Sequence, residues 1–131
     1  MKHIILFLIF VIFSSSAAAK WTRIDNYGTQ GVEIFVEKEG INKDGNIATI
    51  WTLADYEKPQ FVGGKRKLST MSWNEYYCQN KQYRTLILYW YSGHKGEGKI
   101  VYSEMVPGKI KLIVPNSTAE KIWKITCSKK K

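Results

Sequence analysis

Apolar and polar residues alternate with a period of two along most of the chain, which predicts strands rather than helices. Residues 32–36 place their aliphatic side chains on one face, and residues 47–53 alternate in the same way. Asp44 and Gly45, which lie between the two segments, form a turn signal. These two segments are therefore predicted to pair as a hairpin.

The same alternation recurs further along the chain. Pro59, Gly63 and Gly64 are expected to mark a loop. Residues 84–91 are apolar on both faces, so they are expected to form a central strand that is covered on both sides. The remaining predicted strands are 21–27, 66–78, 100–106 and 109–114.

The period changes near the C-terminus. Residues 117–120 match a capping box, in which the serine oxygen and the glutamate carboxylate each bind a free amide of the first helical turn. Ala119, Ile122, Trp123 and Cys127 then fall on one helical face. A C-terminal helix with a buried stripe that includes Cys127 is predicted.

The N-terminus has the form of a secretory signal peptide, with a basic start, an apolar run at 4–13 and small residues that end at Ala19. As a helix the apolar run would rise only about 15 Å, which is about half the thickness of a hydrocarbon core. We therefore expect cleavage after Ala19 and an exported protein that does not span the membrane, in the periplasm or at the cell surface.

Export decides how the two cysteines are interpreted. Thiols pair in an oxidising compartment, so Cys78 and Cys127 are expected to form a disulfide. Two cysteines without nearby histidines are too few for a structural zinc site, and no Cys-x-x-Cys spacing indicates a redox centre.

The predicted fold is α+β: an antiparallel sheet of about six strands, with one C-terminal helix packed on a sheet face and tethered by the disulfide. One helix covers one face only. Five tryptophans and eight tyrosines are more aromatic surface than a core of this size readily buries. The other face, or a sheet edge, is therefore expected to be solvated or to mediate association, including association as a homodimer.

An ordered series of residues is spread over nearly the whole chain after residue 19. It consists of Trp21; Asp44-Gly45-Asn46; Ile50-Trp51-Thr52-Leu53-Ala54-Asp55-Tyr56; Ser69; Tyr77-Cys78; Arg84-Thr85-Leu86; Tyr91-Ser92-Gly93; Gly96-Glu97-Gly98; Val101-Tyr102; Pro115-Asn116-Ser117; and Cys127. With the spacing of its two cysteines, this series resembles the surface-adhesin protein E family of Gram-negative bacteria.

The resemblance implies a sheet with a terminal helix tethered by a Cys78–Cys127 bridge, and a non-enzymatic surface protein. The best-known member of the family binds host extracellular-matrix proteins and plasminogen. Two positions depart from the family pattern. Lys20, rather than a lipid-accepting cysteine, follows the expected cleavage site, and residues 109–112 replace a tryptophan that commonly precedes the final proline.

Sequence motifs for catalysis are missing. His94 is the only histidine after residue 19, and it lies in a glycine-rich turn, where an exposed polar residue is favoured over a general base. Acidic residues are scattered singly, and spacings for metal ligands or a phosphate-binding glycine loop are absent. The sequence therefore predicts a protein that is not an enzyme and that carries no cofactor or metal.

Positive charge is the remaining functional feature, with a formal net charge of +9. Lys65, Arg66 and Lys67 lie in the predicted loop before the strand that ends at Cys78, and the family's ligand-binding member has a similar basic loop at roughly the corresponding place. The loop is expected to capture an acidic protein segment, a heparin-like polysaccharide or lipopolysaccharide phosphate, or else to be a solvated loop that keeps an aromatic-rich protein soluble. Nucleic acid is not expected, because the compartment rarely offers it.

The first hypothesis for the function of this chain is that it binds host matrix or envelope macromolecules. The alternatives are a periplasmic inhibitor of an enzyme such as lysozyme, and an envelope protein with no soluble ligand. Lysozymes are commonly basic, so a strongly positive inhibitor would meet long-range repulsion rather than electrostatic steering.

Overall fold

The computed structural model describes residues 20–26, 28 and 30–129, and the predicted signal peptide at residues 1–19 lies outside them. Within the described residues, the strands of one antiparallel sheet are β1 (Thr22–Asp25), β2 (Val32–Val36), β3 (Asn42–Asp44), β4 (Ile47–Val62), β5 (Lys65–Tyr77), β6 (Gln82–Tyr91), β7 (Ile100–Glu104) and β8 (Lys111–Leu112). One helix, α1 (Thr118–Cys127), follows. The predicted α+β fold is confirmed.

Six strands form the main path of the sheet, in the order β1-β2-β4-β5-β6-β7, while β3 pairs with β4 and β8 pairs with β6. The predicted pairing of residues 32–36 with the next strand is confirmed, but in another register: β2 pairs with residues 52–56 of β4, from Val36 opposite Thr52 to Val32 opposite Tyr56. The segment between them contains a strand that the sequence did not predict. Residues Asn42–Asp44 fold back on β4, with Asp44 opposite Ile47 across a two-residue turn.

The longest elements are β4, with 16 residues, and β5, with 13. They pair from Ile47 opposite Tyr77 to Val62 opposite Lys65. The predicted loop is therefore correct at Gly63 and Gly64, which form the turn, and wrong at Pro59, because β4 continues through this residue to Val62. The register of the pair shifts between Asp55 and Gln60, and such an irregularity accommodates a residue that has no N–H to donate.

Helix α1 packs on one face of the sheet. Its N-cap Ser117 accepts a hydrogen bond from the amide of Glu120 at 3.2 Å, and the Glu120 carboxylate accepts one from the amide of Asn116 at 3.4 Å. Thr118 and Lys121 both donate to the Asp25 carboxylate of β1. The hydrogen bond from Lys121 is the main reason that the pKa of Asp25 lies below its ordinary value.

The core lies between this helix and the sheet. It consists of Val36, Ile41, Ile50, Tyr76, Ile113 and Ile122. Burial raises the pKa of the Tyr76 phenol well above its usual range. At the end of the helix, Cys78 and Cys127 form the predicted disulfide, with their Cα atoms 5.5 Å apart.

The prediction for residues 84–91 is only partly correct. Strand β6 is internal to the sheet, between β5 on one side and β7 and β8 on the other. Every residue of β6 is half-buried, however, so neither of its faces is fully covered. The helix covers only one face of the sheet, and near its C-terminal turn it lies against Tyr77 of β5, whose carbonyl accepts a hydrogen bond from Trp123 Nε1 at 3.3 Å.

Candidate binding surface

The end of the β4–β5 hairpin projects from the sheet. We call residues Gln60 to Lys67 the hairpin tip. Its cross-strand pairs are Gln60 with Lys67, Phe61 with Arg66 and Val62 with Lys65. The neighbouring strands pair with the hairpin only as far as Tyr56 and Ser69. Three residue pairs at a rise of about 3.4 Å each therefore extend about 10 Å beyond the adjoining strands.

Gly63 and Gly64 form the two-residue turn that closes the tip. Their φ angles of +56° and +77° place both in the left-handed region, as a type I′ turn requires. This turn matches the right-handed twist of the two strands, so the tip is a continuation of the hairpin and not an irregular loop. The three predicted binding residues accordingly belong to strand β5, which corrects their assignment to a loop.

The three basic residues do not act alike. Lys65 and Arg66 are exposed at the tip, whereas Lys67 is half-buried. The Nζ atom of Lys67 lies 4.2 Å from the ring centroid of Trp90 and 5.2 Å from that of Tyr56. Lys67 thus makes cation–π contacts at the base of the tip, while Lys65 and Arg66 remain presented to solvent.

The rings beneath Lys67 are themselves held in place. Trp90 packs against Tyr102 with ring centroids 4.5 Å apart, and the Tyr56 hydroxyl lies 3.0 Å from Thr70 Oγ1. The Tyr102 hydroxyl donates to Glu104 at 2.8 Å, and this hydrogen bond raises the pKa of the Tyr102 phenol. The base of the tip is therefore a packed aromatic cluster that holds the Lys67 side chain in place.

Two apolar residues at the tip were missed by the sequence reasoning. Phe61 is 70% exposed and Val62 is 46% exposed, directly across from the two cations. The signal was present in the sequence: two apolar residues, two glycines and three basic residues follow one another without a carboxylate. The combination of a Gly-Gly hairpin turn with flanking apolar and basic residues could have predicted this surface.

His94 lies in a short turn (His94–Gly96), as expected, and its side chain is half exposed. Its Nδ1 atom is 3.2 Å from both carboxylate oxygens of Asp55, a residue that is only 1% exposed. Asp55 also accepts a hydrogen bond from the amide of Lys95 at 2.6 Å. The Asp55 carboxylate therefore fixes this turn against the sheet.

Ser69 completes the attachment of the turn. Its hydroxyl donates to the Gly93 carbonyl at 2.7 Å and accepts from the Gly96 amide at 2.9 Å. Both contacts serve the turn, so the hydroxyl is not aligned with His94 as a nucleophile would be with its general base. In residues 20–26, 28 and 30–129, no three His, Cys, Asp or Glu side chains are grouped to hold a metal ion.

The sheet face opposite the helix carries an aromatic row. Trp51 lies 6.2 Å from Trp73 and 6.3 Å from Tyr89, measured between ring centroids, with the planes of each pair nearly parallel. These rings are half-buried. On this face, as expected, these aromatic side chains lie outside the core, and by stacking they reduce each other's contact with water.

A second apolar surface lies at the edge of the sheet next to β6. Strand β7, the irregular segment after it and β8 run along β6, and the Gly108 amide donates to the Thr85 carbonyl at 2.8 Å. Five large apolar residues between positions 105 and 114 are 51% to 73% exposed: Met105, Val106, Ile110, Leu112 and Val114. We call these five residues the apolar edge.

No helix within the described part of the chain is long and apolar enough to cross a membrane. The chain is similar in fold to solved structures of protein E from Haemophilus influenzae. The selenomethionine form is 15% identical, with a TM-score of 0.62, over 82% of this chain and 85% of that one. The protein from a non-typeable strain is 14% identical, with a TM-score of 0.59, over 87% of this chain and 79% of that one.

No curated protein sequence gives a significant match. The family model described as surface-adhesin protein E, in contrast, matches residues 21–128, which is most of the chain. That match includes both disulfide cysteines, the β4–β5 hairpin and helix α1. The chain therefore belongs to the surface-adhesin protein E family.

Proposed function

We propose that this chain is an exported, non-enzymatic binding protein whose hairpin tip captures acidic segments of macromolecules outside the cytoplasm. Candidate partners are host extracellular-matrix proteins, acidic polysaccharide and lipopolysaccharide. Membership of an adhesin family supports a binding role. Export with cleavage after Ala19, to the periplasm or the cell surface, is part of the same proposal.

The observation that carries the proposal is the presentation of Lys65 and Arg66 on a projecting hairpin that is paired up to its two-residue turn. No carboxylate occurs between Gln60 and Leu68, so neither cation is neutralised within the tip. The formal net charge of +9, of which only Lys2 lies in the predicted signal peptide, adds a long-range attraction for acidic partners. Lys67 adds positive charge at the base of the tip but does not contact the partner in this proposal, because its ammonium lies over the Trp90 ring.

The test is binding of the secreted protein to immobilised heparin and to matrix proteins over a salt series. We expect the double substitution Lys65→Glu/Arg66→Glu to weaken binding by about tenfold or more, and binding by the unaltered protein to fall steeply towards physiological salt. A matched control is Lys38→Glu/Lys109→Glu, which changes two exposed lysines outside the tip and makes the same change in net charge. Equal losses in both double variants, or binding that is indifferent to salt, would reject the role of the tip.

We further propose that the chain forms a homodimer through the apolar edge. Five large apolar side chains that are at least half exposed along one edge of a sheet form the kind of surface that proteins usually cover. A second copy of the chain presents the same surface, as a two-fold interface requires.

A further inference from the structure

In two cross-strand pairs of the hairpin tip, an apolar side chain lies next to a cationic one. Phe61 lies opposite Arg66 and Val62 opposite Lys65. Cross-strand partners point to the same side of a hairpin, and successive residues point to opposite sides. Each side of the tip therefore carries one apolar residue from β4 and one cation from β5.

A hydrophilic acidic partner would use only half of this surface. A sulfated polysaccharide or an acidic peptide can bind Lys65 and Arg66, but it leaves Phe61, which is 70% exposed, in water. A partner that contacts both the cations and the apolar side chains of the tip must present negative charge and apolar groups side by side. A membrane surface with anionic headgroups does so, because phosphates lie directly above the acyl chains.

The dimensions of the tip fit such a surface. The tip extends about 10 Å beyond the neighbouring strands, and interfacial segments bury their apolar side chains about 5 to 10 Å deep at the boundary between headgroups and acyl chains. Its two arms pair with each other in register up to the Gly63-Gly64 turn. The inward-facing backbone groups of the two arms therefore bind each other, and the outward-facing groups would lie at the level of the headgroups, where water and headgroup oxygens bind them.

The base of the tip suits the headgroup layer. Trp90 and Tyr102 lie together under Lys67, and tryptophan and tyrosine are the residues that favour the boundary between membrane and water. We propose that the hairpin tip is an interfacial anchor, which inserts Phe61 and Val62 between lipids while Lys65 and Arg66 contact anionic headgroups. This inference rests on the proposed function and names the partner of the same site.

The experiment is sedimentation of the secreted protein with vesicles of phosphatidylcholine, with or without phosphatidylglycerol. We expect binding only to the vesicles that contain phosphatidylglycerol. The substitution Phe61→Ser should lower this binding by about tenfold, since a phenyl group loses its apolar environment. It should leave heparin binding unchanged, whereas Lys65→Glu/Arg66→Glu should weaken both by about tenfold or more.

The control is Leu112→Ser, which removes a similarly exposed apolar side chain, 73% against 70% for Phe61, at the other end of β6. It should leave vesicle binding unchanged. The inference is overturned if Phe61→Ser binds vesicles as tightly as the unaltered protein, or if vesicles fail to bind while heparin binds through Lys65 and Arg66. In those cases the proposed function stands, whereas failure to bind heparin, matrix proteins and vesicles rejects both. Circular dichroism of each variant establishes that the exposed substitutions leave the fold intact.

Discussion

Three consecutive basic residues have different physical roles because of where a pleated hairpin places them. Lys67 is half-buried, with its ammonium 4.2 Å from the Trp90 centroid. A cation over an aromatic face contributes about 0.5 to 1 kcal/mol at exposed sites and about 2 kcal/mol when desolvated. We therefore predict that Lys67→Met, which keeps an apolar stem but removes the charge, lowers the free energy of unfolding by about 1 kcal/mol.

Urea denaturation followed by tryptophan fluorescence measures this change, because Trp90 is one of the rings that lose the cation. The control is Lys65→Met, at an exposed position two residues away, and it should change stability by less than about 0.5 kcal/mol. Equal stability of the two variants would mean that the contact with Trp90 and Tyr56 contributes nothing measurable.

Among the elements, the helix depends most on a covalent link. Helix α1 has ten residues, and helices of this length are marginal in isolation. The disulfide closes a segment with a sequence separation of 49. The chain-entropy estimate for a loop of that length is about 4 kcal/mol, a large part of the roughly 5 to 15 kcal/mol that stabilises a typical domain.

We predict that reduction, or the double substitution Cys78→Ser/Cys127→Ser, lowers the free energy of unfolding by about 4 kcal/mol. The unfolding transition followed by circular dichroism should move to a lower urea concentration as a whole, because Ile122 of the helix belongs to the same core as the sheet residues. The double variant should also become insensitive to reductant. A reduced protein that unfolds at the same urea concentration as the oxidised one would contradict the prediction.

The sequence predicted the elements whose signals are local. The capping residues of α1, the alternation in β2 and the first half of β4, and the two cysteines needed no tertiary information. Pro59 was predicted to end a strand, because proline has no N–H to donate to the hydrogen bonds between strands. In the structure the register shifts between Asp55 and Gln60, so no such hydrogen bond from Pro59 is needed and the strand continues. The cation–π contact of Lys67 could not be predicted, since Trp90 is brought to it by pairing with Thr70.

On the scale of the whole molecule, two surfaces should respond to salt in opposite directions. Contacts of the hairpin tip with acidic partners weaken as ions screen Lys65 and Arg66. Association of two copies through the apolar edge must overcome the repulsion between two strongly positive chains, and screening reduces that repulsion. Salt should therefore weaken the first interaction and strengthen the second.

We predict that sedimentation velocity detects a dimer of the secreted protein whose population rises with salt, and that Val106→Glu/Leu112→Glu converts it to monomer at every salt concentration. Both side chains are more than 70% exposed, so their replacement should leave the fold unchanged. Phe61→Ser is the matched control, because it removes an equally exposed apolar residue at the tip and should leave the dimer intact. A protein that stays monomeric at high salt would reject the homodimer, and a dimer that Phe61→Ser disrupts and the edge variant does not would place the self-association surface at the hairpin tip.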